Sequence, residues 1–214
     1  MFYHFKLTGN NLNIWKTCLP EYQKEITNIN PKILINWPEK DLYDKEMTWK
    51  IIPICYTVPS DDINKQIWIN SAKKFIPKIY KFVKSLKNVR TALISKMGKN
   101  VSLKPHQGWE DVANHVLRCH LPIIIENGKS GVIVSGIRKN HVLGDVILFD
   151  DSLIHSGFNE SNEDRFILII DFKRPKNIPK GSSKIKSSKQ LLKLASFYKI
   201  INNIYNNLPN NFEK

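Results

Sequence analysis

The residues of this chain that could do chemistry crowd into one stretch, 104–175 of 214. It reads Lys-Pro-His-Gln-Gly at 104–108, Arg-Cys-His at 118–120 and Phe-Asp-Asp-Ser-Leu-Ile-His at 149–155. Arg165 follows, and the stretch closes as Asp-Phe-Lys-Arg-Pro at 171–175. His106, His120 and His155 offer neutral imidazole nitrogens, the commonest metal ligands. Arg118 and Arg165 offer planar forks that hold carboxylates through two hydrogen bonds. Together they fit a metal ion with a carboxylate anchored beside it. Any one of these histidines alone is more ordinary as a core residue; the joint pattern is far more specific.

Strands must position these groups. Alternate strand residues face alternate sides, so Arg118 and His120 share one face while Leu117, Cys119 and Leu121 share the other. Short strands read out at 89–95, 101–104, 116–125, 131–142, 145–150 and 165–172. Turn-forming joints separate them at 98–100, 126–131, 143–144 and 159–164. Many short strands at such spacing predict a double-sheet jelly roll or barrel, in which His106, His155 and Arg165 can converge on one mouth.

Upstream, five prolines punctuate residues 1–60 and predict short elements, with strands at 32–37 and 49–57. Asp61 and Asp62 start a helix carrying Ile63, Ile67, Trp68, Ala72 and Phe75. Pro77 opens a second, with Ile79, Tyr80, Val83 and Leu86 inward. Beyond Pro175, Pro179 and Gly181, a C-terminal helix places Leu191, Leu194, Ala195, Tyr198, Ile201 and Tyr205 against the sheet. The expected plan is a single mainly β domain with flanking helices. In it 1–88 is a mixed helical and strand support, 89–175 the jelly-roll core, and 176–214 a basic linker and C-terminal helix.

Composition sets outer limits. With 42% hydrophobic and 24% charged residues the chain is globular. Its net charge of +14 favours anionic partners, and nine basic residues with no acidic one lie between Lys173 and Lys199. That run reads first as a solvated basic face. No zinc-finger spacing or RNA-recognition aromatic motif supports a nucleic-acid binder. Cys18, Cys55 and Cys119 form no disulfide or metal pattern, which points to a reducing compartment. The start, MFYHFKLTGNN, is too short and polar for a signal peptide, and no run reaches the ~20 apolar residues of a membrane span. A soluble cytoplasmic protein is expected.

Residues 89–175, about 40% of the chain, resemble the aspartyl/asparaginyl β-hydroxylase family of iron(II)- and 2-oxoglutarate-dependent oxygenases. The marks are Lys-Pro-His-x-Gly, Arg-x-His, Phe-Asp-Asp-Ser-x-x-His, Arg165, and Asp171 with Arg174-Pro175. Trp49 and Ser95 extend the likeness upstream. The resemblance implies a double-stranded β-helix that consumes 2-oxoglutarate and O2 to hydroxylate an unactivated C–H bond. His106 and His155 are then the Fe(II) ligands. Arg165 pairs with the distal carboxylate of 2-oxoglutarate and Ser95 donates to it, with Trp49 at the co-substrate site. His120 and Arg118 meet the co-substrate's other end or the substrate.

Many iron oxygenases add a carboxylate two residues after the first histidine. Here that residue is Gly108, as in this family, where water takes the place. Chloride and halogenation, or Asp150 or Asp151 filling the gap, are weaker readings; the two aspartates look more like supports that orient an imidazole. The substrate implied is the β-carbon of an Asp or Asn residue in a peptide or protein, drawn by the basic charge and met by Arg118. A free amino acid or a lipid acyl chain are the rivals, and a non-catalytic jelly-roll binding module is the alternative of another class. Trp109 is expected either at the substrate entrance or in the core.

Overall fold

The computed structural model describes residues 1–3, 9–43, 48–186, 198 and 200–208. Eleven strands among them are β1 (Ile35–Asn36), β2 (Trp49–Thr57), β3 (Gln66–Trp68), β4 (Val89–Met97), β5 (Val101–Ser102), β6 (Val116–Ile124), β7 (Ser130–Val134), β8 (Ile137–Asn140), β9 (Ile147–Phe149), β10 (His155–Asn159) and β11 (Arg165–Lys173). Three α-helices join them: α1 (Gly9–Thr27), α2 (Pro77–Ser85) and α3 (Glu110–Ala113).

The strands form two antiparallel sheets. The larger runs β1-β2-β4-β11-β6-β9, with β3 on the edge of β2; the smaller runs β5-β10-β7-β8. Together they make the mainly β, jelly-roll architecture of a double-stranded β-helix. β11 lies at the centre of the large sheet, between β4 and β6. Its sequence RFILIIDFK is nearly continuous in apolar residues, as a strand covered on both faces requires. Leu168 and Ile170 look outward, into a core with Ala92, Ile94, Leu117, Cys119 and Leu121. That face is roofed by Trp15, Tyr22 and Ile26 of α1, by Ile79, Phe82 and Val83 of α2, and by Tyr198, Ile201 and Tyr205 of the C-terminal helical residues. Each such aliphatic side chain contributes about 1.5–3 kcal/mol on burial. The inward face carries Arg165, Ile169 and Asp171 from β11 with Thr91, Leu93 and Ser95 from β4, and it lines the cavities between the sheets.

Several expectations change. Residues 61–75 are no helix: they hold a 3-10 turn (Ile63–Lys65), β3 and another 3-10 turn (Asn70–Lys74). Asp62 accepts the amide of Asn64 (3.0 Å) and caps only that first turn, after which β3 is captured by the edge of β2, Trp68 opposite Cys55. The strand expected at 131–142 is a hairpin, β7–β8, turned at Ser135 and Gly136, both at positive φ (48° and 79°). The proline-punctuated N-terminus holds the 19-residue α1, with Pro20 inside it. α2 does start at Pro77, and it ends just before Leu86. Leu191, Leu194 and Ala195 lie outside the described residues, whereas Tyr198, Ile201 and Tyr205 are buried as expected. No described helix is long and apolar enough to cross a membrane.

Candidate active site

His106 and His155 face each other across an isolated antiparallel bridge at the mouth of the smaller sheet. Each backbone N–H donates to the other's carbonyl, at 2.9 and 2.8 Å, so the side chains leave on one side with ring centroids 4.4 Å apart. Each Nδ1 lies 2.8 Å from a carbonyl two residues earlier, Lys104 for His106 and Leu153 for His155. A carbonyl only accepts, so both Nδ1 atoms carry the proton and both Nε2 atoms keep a lone pair. Burial holds both imidazoles below their ordinary pKa and so neutral, the form that binds metal.

Asp151 stands against this pair, its Oδ1 3.3 Å from His155 Nε2. Asp150 turns away, into a buried fork with Arg174 (2.5 and 2.9 Å) and the hydroxyl of Ser152. Gly108 explains the spacing. A Cβ there would fall 2.1 Å from Asp151 Oδ2 and 2.8 Å from Ala113 Cβ, so the room that a residue-108 side chain would need holds the Asp151 carboxylate. Among the described residues no three His, Cys, Asp or Glu side chains surround a common metal-sized point. Asp151 therefore flanks the two imidazoles without completing a triad.

Arg118 ties the carboxylates together. Its Nε and Nη2 donate to Asp171 at 2.8 and 2.9 Å, and its Nη1 lies 2.5 Å from Asp151 Oδ1. The β6–β11 register sets this directly, since Asp171 and Arg118 are cross-strand partners. Two buried carboxylates share one guanidinium: Arg118 is raised in pKa, and burial raises both aspartates. When both are ionised, one negative charge is left over beside two imidazole lone pairs, which suits a divalent cation.

Deeper between the sheets lies a smaller cavity, lined by Trp49, Ser95, His120, His155, Phe149 and Arg165 among others. Arg165 is 3% exposed, and its Nε and Nη1 have no hydrogen-bond partner. Desolvation pushes this guanidinium down to about 9. Beside it the Trp49 indole donates to Ser95 Oγ at 3.0 Å. His120 reaches His141 (Nδ1 to Nε2, 3.1 Å), and His141 Nδ1 reaches Ser130 Oγ (3.1 Å). Burial holds both rings far below the ordinary histidine range, so the chain is neutral.

The second cavity opens outward from His106. Trp37, Trp49, Trp109, Tyr56 and Tyr198 supply aromatic wall, with Glu39 at its polar side. The fold thus brings His106, His155, His120, Arg165, Ser95 and Trp49 around the inner cavity, with Arg118 on the wall of both. Arg118, expected to meet a ligand, has its fork engaged by Asp171 and Asp151. Trp109 lines the outer pocket. Reading the sequence missed His141 and Glu39, for no local pattern marks either one; their partners are fixed by tertiary register alone.

The family model for aspartyl/asparaginyl beta-hydroxylase matches residues 13–175. The chain belongs to this family. Within the β-hydroxylase match sit every strand of both sheets and every residue of the two cavities except Tyr198. An ornithine lipid ester-linked acyl 2-hydroxylase from Rhizobium tropici is 29% identical over 108 residues, covering 50% of this chain and 37% of that protein. This chain thus spans little more than a third of that relative's length. Among solved structures, a 2OG-Fe(II) oxygenase family oxidoreductase from Burkholderia pseudomallei is 8% identical, covers 87% of this chain and 99% of its own, and has a TM-score of 0.48. KdgF from Halomonas sp. is 10% identical, covers 67% and 96%, and has a TM-score of 0.37.

Proposed function

We propose that this β-hydroxylase family member is an iron(II)- and 2-oxoglutarate-dependent hydroxylase acting on an unactivated C–H bond. The observation that carries the reading is the buried, unpaired Arg165 guanidinium at the floor of the inner cavity. A buried charge without a partner is costly, and a carboxylate is its complement. Iron(II) with 2-oxoglutarate and O2 supplies the oxidising chemistry that no side chain of this protein provides.

The residues divide the remaining work. His106 and His155 would hold the metal through Nε2, their Nδ1 protons fixed on Lys104 and Leu153. Asp151, steadied by Arg118, would stand beside the pair as an acceptor for a water. Arg165 and Ser95 would take the distal carboxylate of 2-oxoglutarate, and His120 its other end. The sheets exclude bulk water from that acid.

For the substrate, an apolar chain fits the outer pocket better than an Asp or Asn side chain. The walls are aromatic, and the only cation among the described lining residues, Arg118, is already shared by two carboxylates. The acyl-chain hydroxylase of Rhizobium tropici supports the same choice.

The test is succinate release from 2-oxoglutarate by the iron-loaded protein, with acyl amphiphiles, peptides and free amino acids in separate incubations. The expected result is iron- and O2-dependent succinate, with a one-oxygen mass gain confined to the acyl pool. A gain confined to peptides would restore the Asp/Asn reading. No succinate in any pool would count against the oxygenase itself.

A further inference from the structure

The outer pocket holds one anion that the proposed chemistry does not use. Glu39 accepts the Trp37 indole N–H at 2.9 Å, and Trp109 lines the same pocket. Trp37 stacks on Trp49 (centroids 4.8 Å, 26° between planes), so the carboxylate is set into an aromatic frame that also includes Trp109. It is half-buried and, among the described residues, has no salt bridge. Elsewhere the carboxylates of Glu21, Asp145, Glu160, Glu163 and Asp164 all have Lys or Arg partners.

Charge bookkeeping isolates Glu39 further. A divalent metal and a dianionic co-substrate would be balanced to zero by Arg118, Arg165, Asp151 and Asp171. Glu39 alone remains, on a chain whose net charge is +14. A carboxylate has about four acceptor directions, and the Trp37 indole occupies one of them. What remains is a half-buried anion with open acceptor directions in an aromatic-walled pocket, which can receive an organic ammonium by ion pairing, with cation–π attraction from the pocket's rings.

We propose that the outer pocket selects an amphiphile bearing a cationic ammonium group, received by Glu39 between Trp37 and Trp109 while the apolar part lies along the pocket wall. This deepens the hydroxylase reading, and depends on it only for calling the occupant a substrate. Glu39 is then a specificity residue, remote from the metal ligands in role.

The experiment titrates octylammonium, octanol and octanoate, below their micelle concentrations, into the metal-free protein. Tryptophan fluorescence reports occupancy, since three of the five tryptophans line this pocket. Octylammonium is expected to bind about tenfold or more tighter than octanol, and octanoate weakest. Glu39→Gln keeps an acceptor for the Trp37 indole and should bring octylammonium down to the level of octanol. Octanoate binding as tightly as octylammonium to the wild type would overturn the proposal, with no variant needed. So would an unchanged preference in folded Glu39→Gln. Binding of 2-oxoglutarate, measured on the same two proteins with iron(II), separates the two readings. Its absence from both would sink the oxygenase while leaving the ammonium result to stand or fall by itself.

Discussion

Two arginines on the large sheet, Arg118 and Arg165, carry the same group into the same interior and meet opposite surroundings. Arg118, on β6, is held by Asp171 and Asp151, and its proton is bound more tightly than in water. Arg165, at the start of β11, is 3% exposed with two nitrogens unpaired, and its proton is bound less tightly. Residue type cannot separate a strut from a receptor; the partners do. A saturated guanidinium braces the carboxylates beside the two imidazoles, and an empty-handed one has affinity left for a ligand.

The sharpest way to break this comparison is to remove each charge in turn. Arg118→Met strands two buried carboxylates, so about 3–5 kcal/mol of stability should be lost. That is a fall in melting temperature on the order of 6–20 °C, read by calorimetry at neutral pH. Arg165→Met removes a charge that had no partner, so the ligand-free protein should keep its stability or gain, while 2-oxoglutarate binding disappears. Equal destabilisation by both would erase the distinction between strut and receptor.

A gentler change sharpens the receptor side. Arg165→Lys keeps a positive charge and loses the fork, which should weaken 2-oxoglutarate binding by about ten- to a hundredfold, or roughly 1.5–3 kcal/mol. Calorimetric titration with iron(II) under nitrogen gives that number. An unchanged affinity would place the carboxylate elsewhere.

The smallest effect concerns the neutral chain behind His120. His141→Phe leaves His120 Nδ1 without its partner, at a cost of roughly 1–3 kcal/mol in stability. It should also loosen the ring, weakening 2-oxoglutarate binding by about two- to tenfold, roughly 0.5–1.5 kcal/mol. Ser130→Ala, one step further out, should give a smaller change of the same sign. If His141→Phe matched Arg165→Met in abolishing binding, His120 and not Arg165 would be the main anchor.

The same contrast explains what the sequence let one read. β4, β6 and β11 were legible to within two residues at their ends, because long apolar runs between polar joints admit little else. Pro77 announced α2, whereas α1 was hidden: its buried stripe is only Trp15, Tyr22 and Ile26 in an Asn-rich segment interrupted by Pro20. β10 was hidden too, because His-Ser-Gly-Phe-Asn lacks the β-branched signature and becomes a strand through pairing with β7. In the site, spacing pointed to His106, His155 and Arg165, which the fold gathers around one cavity. It could not tell that Arg118 is neutralised, since that rests on the register placing Asp171 opposite it. Glu39 and His141 depend likewise on contacts made across the fold.

The account stands on a metal held by two histidines beside a carboxylate received by Arg165. Anaerobic addition of iron(II) and then 2-oxoglutarate tests both halves in one cuvette, through the visible charge-transfer band of the ternary complex. The wild type should develop the band. His106→Ala should show none, and Arg165→Met should require far more 2-oxoglutarate or fail to reach it, with both variants folded by circular dichroism. A full-strength band in His106→Ala, at the wild-type 2-oxoglutarate requirement, would contradict the assignment.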